Sequence, residues 1–186
     1  MKTLVFNGSP RQNGDTEALV AEFIKNLEGE YKIVNPYECD VKACIDCRFC
    51  QNKEGCSQRD DMQEVYAYIQ ECDCILIASP VFFTELSGPL LALCSRLQTY
   101  YCARHFRKEV PVKKVKMGGV ILAGGGNNSP EKAFGTACVL LAEMNAKPIE
   151  PVVYCPNTDN VAPKDQLQVM AQVKRLALLF NEKHSI

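Results

Sequence analysis

The chain alternates between short apolar runs and longer amphipathic segments. Four apolar runs are typical of buried strands, at residues 3–6, 74–78, 117–123 and 148–154, and a more polar run at 31–35 predicts one further strand. Between these runs, apolar residues recur at the spacing of a helix face, as in Leu19, Val20, Phe23, Ile24 and Leu27. Strands that alternate with helices predict an α/β fold, here a doubly wound, five-stranded parallel sheet with helices on both faces.

Several helix starts are marked by polar residues and proline. Asp60 and Asp61 precede an apolar helix face, Ser87 stands before Gly88-Pro89, and Ser129 stands before Pro130-Glu131. A last helix is predicted from Lys164 onward, with its inward face formed by Leu167, Met170, Val173, Ala177 and Phe180. No linker or repeat interrupts this order, so we expect one domain over residues 1–186.

Composition narrows the class of protein. The 186 residues carry a formal net charge of −1, and nucleic-acid binding, which needs a strong basic field, is therefore disfavoured. No window approaches the roughly 20 apolar residues of a membrane span, and the N-terminal residues lack a signal-peptide pattern. We therefore expect a cytoplasmic protein. The chain has 11 cysteines, and those within apolar runs are most simply small buried hydrophobic residues. So many thiols indicate a reducing cell interior.

The loop after the first predicted strand has the character of an anion site. It leads from a strand into a helix N-terminus, where backbone N–H groups and the helix dipole favour negative charge. Gly8 and Gly14 allow tight backbone turns. Neutral donors and one cation accompany them, namely Ser9, Asn13, Thr16 and Arg11. The alternative is an ordinary strand–helix turn. The spacing matches neither a Walker loop nor a dinucleotide-binding glycine motif.

Two further loops belong at the same edge of the predicted sheet, because the carboxyl ends of parallel strands lie together. Residues 80–84 offer a proline turn and two aromatic rings, Phe82 and Phe83, on which a flat ring system could stack. Gly124 and Gly125 allow the backbone to approach a ligand closely. The alternatives are core packing for the two rings and a merely flexible loop for the glycines.

The segment 37–59 shows no clear periodicity and is the strongest chemical signal in the chain. It contains Cys44, Cys47, Cys50 and Cys56. Soft thiolate ligands select zinc or an iron–sulfur cluster. Zinc ligands usually fall into two separated pairs, whereas a compact triple with a nearby fourth cysteine is closer to a [4Fe-4S] pattern. Free thiols or a disulfide remain open as a third reading.

Two of these motifs resemble a known family. The run from Gly8 to Thr16 is similar to the FMN phosphate loop of the NAD(P)H-dependent FMN reductases, which are flavodoxin-like, and Ser79-Pro80-Val81-Phe82-Phe83 is similar to their flavin turn. Asp15, Leu91 and Ser95 depart from the family pattern, whereas Arg96 keeps it. We expect the Asp15 carboxylate to point away from a bound phosphate, as the N-cap of the following helix. The resemblance implies that FMN is held by Ser9, Arg11, Gln12, Asn13, Gly14, Asp15, Thr16, Pro80, Val81, Phe82, Phe83, Thr84, Gly124 and Gly125.

The cysteine spacing and the following Asp60-Asp61-Met62 resemble the iron–sulfur flavoproteins of the same group. This resemblance implies a [4Fe-4S] cluster on Cys44, Cys47, Cys50 and Cys56. It also implies NAD(P)H as a donor and a homodimer or tetramer as the assembly.

Three functions follow from these expectations. The first is an FMN-dependent oxidoreductase, in which no side chain need act as a catalytic acid or base, exchanging electrons with a small molecule or a ferredoxin-type partner. The second is an electron carrier of the flavodoxin type, without turnover of a small substrate. The third is an interaction module stapled by zinc.

Overall fold

The computed structural model describes residues 1–182. Its centre is a parallel sheet whose strands follow the order β2-β1-β3-β4-β5, with β6 also paired to β4. The strands are β1 Lys2–Asn7, β2 Glu30–Val34, β3 Cys74–Pro80, β4 Lys116–Ala123, β5 Ala146–Pro148 and β6 Val153–Cys155. All pairings are parallel, as the alternation of strands and helices predicts.

Helices cover both faces of this sheet, which confirms the doubly wound α/β fold. They are α1 Asp15–Lys25, α2 Phe49–Asn52, α3 Met62–Glu71, α4 Gly88–Cys94, α5 Gln98–Cys102, α6 Glu131–Glu143 and α7 Leu167–Glu182. A 3-10 turn at Ser95–Leu97 joins α4 to α5, and the helical path continues as a π-helix over Ala103–Arg107. Within residues 1–182, no helix is both long and apolar enough to cross a membrane.

The core consists of two apolar layers, one on each face of the sheet. Helices α1 and α7 bury one face, where Phe23 meets Phe180 edge-on with ring centroids 5.4 Å apart. Helices α3, α4 and α6 bury the other face, where Met62, Leu90 and Leu141 are fully buried. The central strand β1 is covered on both sides, which explains why its sequence is apolar without alternation.

The last predicted strand is the main difference from expectation. A single strand at 148–154 is predicted, but the structure has β5 at Ala146–Pro148 and β6 at Val153–Cys155. Both pair with β4, where four residues on the edge oppose only Gly119 and Val120. Pro148 and Pro151 lack the N–H that a continuous ladder requires, so the edge strand bulges outward there.

Three smaller expectations also need correction. Gly14, rather than Asp15, occupies the N-cap position of α1, and Asp15 is the first helical residue. Ser87 occupies the N-cap position of α4, but its hydroxyl makes no capping bond and is buried without a partner among the described residues. Leu167 was expected to face inward and is 78% exposed, because α7 begins only at this residue.

Candidate functional site

Four loops meet at the carboxyl edge of the sheet and surround one cleft of about 260 Å³. They follow β1, β3, β4 and β6, so the parallel arrangement of the strands is what assembles the cleft. Its lining comprises Ser9, Pro10, Arg11, Asp15, Thr16, Pro80, Val81, Phe82, Ala123, Gly125, Thr158 and Asp159. Eight of the predicted FMN residues therefore lie around one space, together with Pro10 from the first predicted loop and Ala123 from the end of β4. The other six predicted residues do not line it, and these are Gln12, Asn13, Gly14, Phe83, Thr84 and Gly124.

The loop after β1 is held in a defined shape by its own side chains. The Ser9 amide donates to Asn7 Oδ1 at 3.1 Å, and the Ser9 hydroxyl exchanges bonds with the backbone of Arg11 at 3.1 and 3.3 Å. The Gly8 amide donates to the Ala78 carbonyl at 2.8 Å, which ties this loop to the end of β3. A Cβ at residue 8 would stand 2.8 Å from Ser87 Oγ, so the close approach requires glycine.

Several amide groups of this loop point at no protein acceptor. In residues 1–182, the N–H groups of Gln12, Asn13, Asp15 and Thr16 make no hydrogen bond to the chain. Two of them belong to the first turn of α1, whose amides have no intrahelical partner in any helix. Gln12 and Asn13 are exposed beside the cleft, while the Thr16 side chain is buried at its base. This arrangement is suited to a phosphate group.

The charged residues of the loop are paired with each other. Arg11 Nη2 lies 3.6 Å from Asp15 Oδ2, and Arg11 is largely exposed. The Asp15 carboxylate, which departs from the family pattern, thus offsets part of the charge of Arg11, the one cation within residues 1–182 that lines the cleft. A bound phosphate would compete with Asp15 for Arg11.

The loop after β3 forms a tight two-residue turn. Phe82 and Glu85 exchange both backbone bonds, at 2.9 and 3.0 Å, around Phe83 and Thr84. Both central residues have positive φ, +52° and +65°, a region in which side chains other than glycine are disfavoured. The ring of Phe83 is 99% exposed, and Phe82 lies at the mouth of the cleft at 46%. The structure therefore holds two aromatic rings outward at this edge, against both backbone preference and the hydrophobic effect.

The loop after β4 leaves room for a side chain of the next loop. The Gly124 amide donates to the Cys155 carbonyl at 2.9 Å, and Gly125 lies so close to Asp159 that a Cβ would stand 2.5 Å from its Oδ2. Gly124 lies beneath Tyr154 and does not line the cleft. Gly126 has open space around it. Absence of a side chain at residue 125 is thus what keeps the cleft floor open.

Thr158 and Asp159 line the cleft but were missed by sequence reasoning. They belong to the loop after β6, where the Thr158 and Asp159 amides donate to Gly124 and Gly125. The rule that ligands bind beyond the carboxyl ends of parallel strands applies equally to this fourth loop. Extending it past the run at 148–154 would have found both residues.

The four predicted cysteine ligands line a second, small cavity of about 20 Å³. Cys47 is exposed, and the other three are half-buried. Within the described residues, no three side chains of His, Cys, Asp or Glu are placed to chelate a single metal ion. A [4Fe-4S] cluster makes a different demand, since each of its thiolates binds a separate iron and the sulfurs surround the cluster without converging on one point.

The environments of the cysteine thiols differ. Burial, together with the neighbouring Cys102 thiol, raises the pKa of Cys50 to about 12. A hydrogen bond with Ser57, Sγ to Oγ at 3.1 Å, lowers the pKa of the exposed Cys47. Iron binding would require all four sulfurs as thiolates, and the charge of the metal supplies that deprotonation. A donor set of four cysteines around one space fits a cluster in its chemistry.

A buried arginine fastens the cysteine segment to the helical layer. Arg96, 1% exposed, forms a two-pronged ion pair with Asp60 at 2.6 and 3.1 Å. The same guanidinium donates to the carbonyls of Lys42 and Gln58 at 2.9 and 3.3 Å, which flank the four cysteines in sequence. Asp60 Oδ1 also accepts from the amide of Met62, the first residue of α3, at 3.2 Å. Although burial alone would raise it, the Arg96 contact keeps the pKa of Asp60 below its usual range.

A larger cavity of about 630 Å³ lies behind the cysteine segment, between α3 and α5. It shares Thr99 with the cysteine cavity, and the Thr99 hydroxyl donates to the Gly55 carbonyl at 2.9 Å across the wall between them. None of the predicted cofactor residues lines it. Its size alone does not make it the functional site, because the chemistry-bearing residues lie elsewhere.

Two solved structures share the fold of this chain. The structure superposes on an NAD(P)H:quinone oxidoreductase from Methanothermobacter marburgensis with a TM-score of 0.71, at 13% identity over 95% of this chain and 94% of that one. It also superposes on an FMN-dependent NADH-azoreductase from Bacillus anthracis in complex with FMN, with a TM-score of 0.65, at 17% identity over 95% and 98%. At this level of sequence identity, the two matches show only the fold of the chain, which is flavodoxin-like.

The family follows from the sequence match. The model of the NADPH-dependent FMN reductase family matches residues 1–160, and the chain belongs to this family. Relatives include an iron–sulfur flavoprotein of Archaeoglobus fulgidus, 30% identical over 73% of this chain and 60% of that protein. An iron–sulfur flavoprotein of Methanocaldococcus jannaschii is 29% identical over 71% and 66%. The chain thus matches about 60–66% of the length of these relatives. The family resemblance read from residues 8–16 and 79–83 is confirmed.

The Arg96–Asp60 pair makes a testable prediction about stability. Asp60→Asn leaves a buried guanidinium without its counter-charge, so we expect the free energy of unfolding to fall by about 3 kcal/mol in chemical denaturation. Asp40→Asn, an exposed carboxylate in the same segment, is the control and should change it by less than about 0.5 kcal/mol. Equal effects of the two substitutions would contradict the role assigned to the pair.

Proposed function

We propose that this protein binds FMN in the cleft at the carboxyl edge of the sheet and acts as an NAD(P)H-dependent oxidoreductase. One observation carries the proposal. Four amides of one loop, those of Gln12, Asn13, Asp15 and Thr16, have no acceptor within residues 1–182, and this loop lines a cleft that ends at the aromatic turn after β3. Family membership supports the same assignment.

The chain's residues would divide the work by their position. The amides of the first loop, with Ser9, Thr16 and Arg11, would hold the phosphate. Pro80, Val81 and Phe82 would contact the ring system. The amides of Phe83 and Thr84, which have no acceptor within residues 1–182, would face its polar edge. Gly125 would allow close approach from the other side. When bound, FMN supplies the hydride and electron chemistry, so orientation and electrostatics are the protein's contribution.

We further propose that Cys44, Cys47, Cys50 and Cys56 hold a [4Fe-4S] cluster. Three observations support this: the shared cavity of the four thiols, the soft donor set, and the names of the relatives from Archaeoglobus fulgidus and Methanocaldococcus jannaschii. A cluster would allow the two electrons of a hydride to leave one at a time. The acceptor would be a small molecule or a ferredoxin-type protein.

A homodimer or tetramer is part of the proposal. The fully exposed Phe83 ring, held on a turn with unfavourable backbone angles, is a surface that a second subunit would cover. Burying the Phe83 ring against a second subunit would release free energy that offsets the unfavourable backbone conformation of the turn.

The second candidate is an electron carrier without small-substrate turnover. The same cleft would serve it, but a net charge of −1 gives little of the acidic surface on which electrostatic docking depends. Steady-state oxidation of NADH and NADPH, with a quinone or free flavin as acceptor, separates the two. Turnover with either nucleotide supports the oxidoreductase, and rapid exchange with ferredoxin alone supports the carrier.

The cleft floor gives the first prediction for FMN. Gly125→Ala places a methyl group where Asp159 now lies and drives that carboxylate into the cleft, so FMN affinity should fall at least tenfold in a fluorescence titration. Gly126→Ala is the matched control, since its methyl group meets open space, and affinity should change less than twofold. If both variants bind FMN like the unsubstituted protein, the ligand does not occupy this cleft.

Asp15 gives the second prediction. Asp15→Asn frees Arg11 from its ion pair and removes a repulsive charge, so FMN should bind several-fold more tightly at low salt. Riboflavin lacks the phosphate, and its affinity should stay the same in this variant. A gain for riboflavin equal to that for FMN would show that the phosphate does not lie at this loop.

The cysteine set gives the third prediction. After anaerobic preparation, the protein should contain about four iron and four sulfide per chain, with broad visible absorption that bleaches on reduction. Cys44→Ser and Cys56→Ser should each lose most of this iron, whereas Cys138→Ser, on α6, should retain it. Zinc at about one per chain without sulfide would instead support the zinc-stapled module.

A further inference from the structure

All but one of the hydrogen-bond donors of the Arg96 side chain have an acceptor within residues 1–182. An arginine side chain carries five N–H donors. Four of them have acceptors, because each terminal nitrogen donates to one oxygen of Asp60 and to one carbonyl of the cysteine segment. The fifth, Nε–H, is buried and has no partner among residues 1–182. An unmet donor of this kind costs about 1–3 kcal/mol, so its persistence calls for a reason.

The position of Arg96 beside the cysteines gives a reason for the unpaired Nε–H donor. Its side chain lines the cysteine cavity together with Cys56, and the Cys56 thiol lies against the guanidinium. A neutral thiol is a weak acceptor, whereas a metal-bound thiolate accepts strongly from a charged donor. The Nε–H donor, which has no acceptor among residues 1–182, would therefore gain one once Cys56 binds iron.

We propose that Arg96 is a positioning residue whose Nε–H donates to the thiolate of Cys56 when the cluster is bound, an inference that rests on the proposed cluster. The Asp60 fork and the two carbonyl bonds fix the plane of the guanidinium, so Nε has one direction in which to donate. Arg96 therefore has two roles, which are to fasten the cysteine segment and to stabilise negative charge on one of its sulfurs.

The consequence is a higher reduction potential of the cluster. Reduction adds negative charge to the cluster and its sulfurs, and a hydrogen bond to a sulfur stabilises the reduced state more than the oxidised one. Arg96 would thus make the cluster a better acceptor of electrons.

A potentiometric titration monitored by electron paramagnetic resonance tests this inference. Arg96→Lys keeps the positive charge but loses Nε and the fork, and the midpoint potential of the loaded protein should be more negative than in the unsubstituted protein. Arg48→Lys is the control. It makes the same substitution at a largely exposed arginine beside the same cysteines, whose nearest carboxylate is Asp46 at 3.8 Å, and it should leave the potential unchanged. A purely structural role for Arg96 would lower the iron content of Arg96→Lys and leave the potential of its loaded fraction unchanged.

A second measurement applies if Arg96→Lys does not fold. Pulsed electron paramagnetic resonance of the reduced protein, labelled with 15N at arginine Nε, should show coupling between one Nε and the cluster. The coupling should persist in Arg48→Lys and Arg107→Lys, the other arginines beside the cysteine loop. Absence of coupling in the loaded, unsubstituted protein would overturn the inference.

The proposed cluster and the proposed role of Arg96 can be disproved separately. If the unsubstituted protein binds no iron and sulfide under anaerobic conditions, the proposed cluster is wrong, and the role of Arg96 falls with it. If it binds them, but the Arg96→Lys potential matches that of Arg48→Lys, only the inference about Arg96 is wrong.

Discussion

The constraint on which the rest of the structure depends is the parallel alignment of the strands. Because β1, β3, β4 and β6 all run in one direction, the loops that follow them emerge at one edge of the sheet. Each loop contributes a different feature. The loop after β1 leads into a helix N-terminus, the loop after β3 is a strained aromatic turn, and the loop after β4 begins with three glycines. Only their common edge makes them one site.

Helix α4 connects this edge to the cysteine segment. It begins directly after the aromatic turn, and Arg96 follows its last residue, Cys94. The nine helical residues from Gly88 to Arg96 span about 13 Å. The residues that line the cleft and those that line the cysteine cavity are different, so each site can be altered without direct damage to the other. Because α4 connects them, the helix nevertheless fixes the position of the cysteine cavity relative to the cleft.

Much of this could be predicted from the sequence, and the failures have physical reasons. Apolar runs identified β1, β3 and β4, because a strand buried on both faces tolerates few polar residues. The break between β5 and β6 was missed, although Pro148 and Pro151 signalled it, because edge strands are less constrained. Arg96 was recognised only as a remnant of a family pattern. Its partner Asp60 is 36 residues away, and no local pattern reveals such a pair. The positions of the FMN and cluster residues remain predictions.

A crystal structure of the protein with FMN is the most direct test of the central claim, that parallel alignment of the strands builds one flavin site. We expect the phosphate within hydrogen-bonding distance of the amides of residues 12–16, and the ring system between Phe82 and Gly125. A phosphate bound away from Ser9 and Thr16, or a cleft that stays empty at saturating FMN, would contradict it.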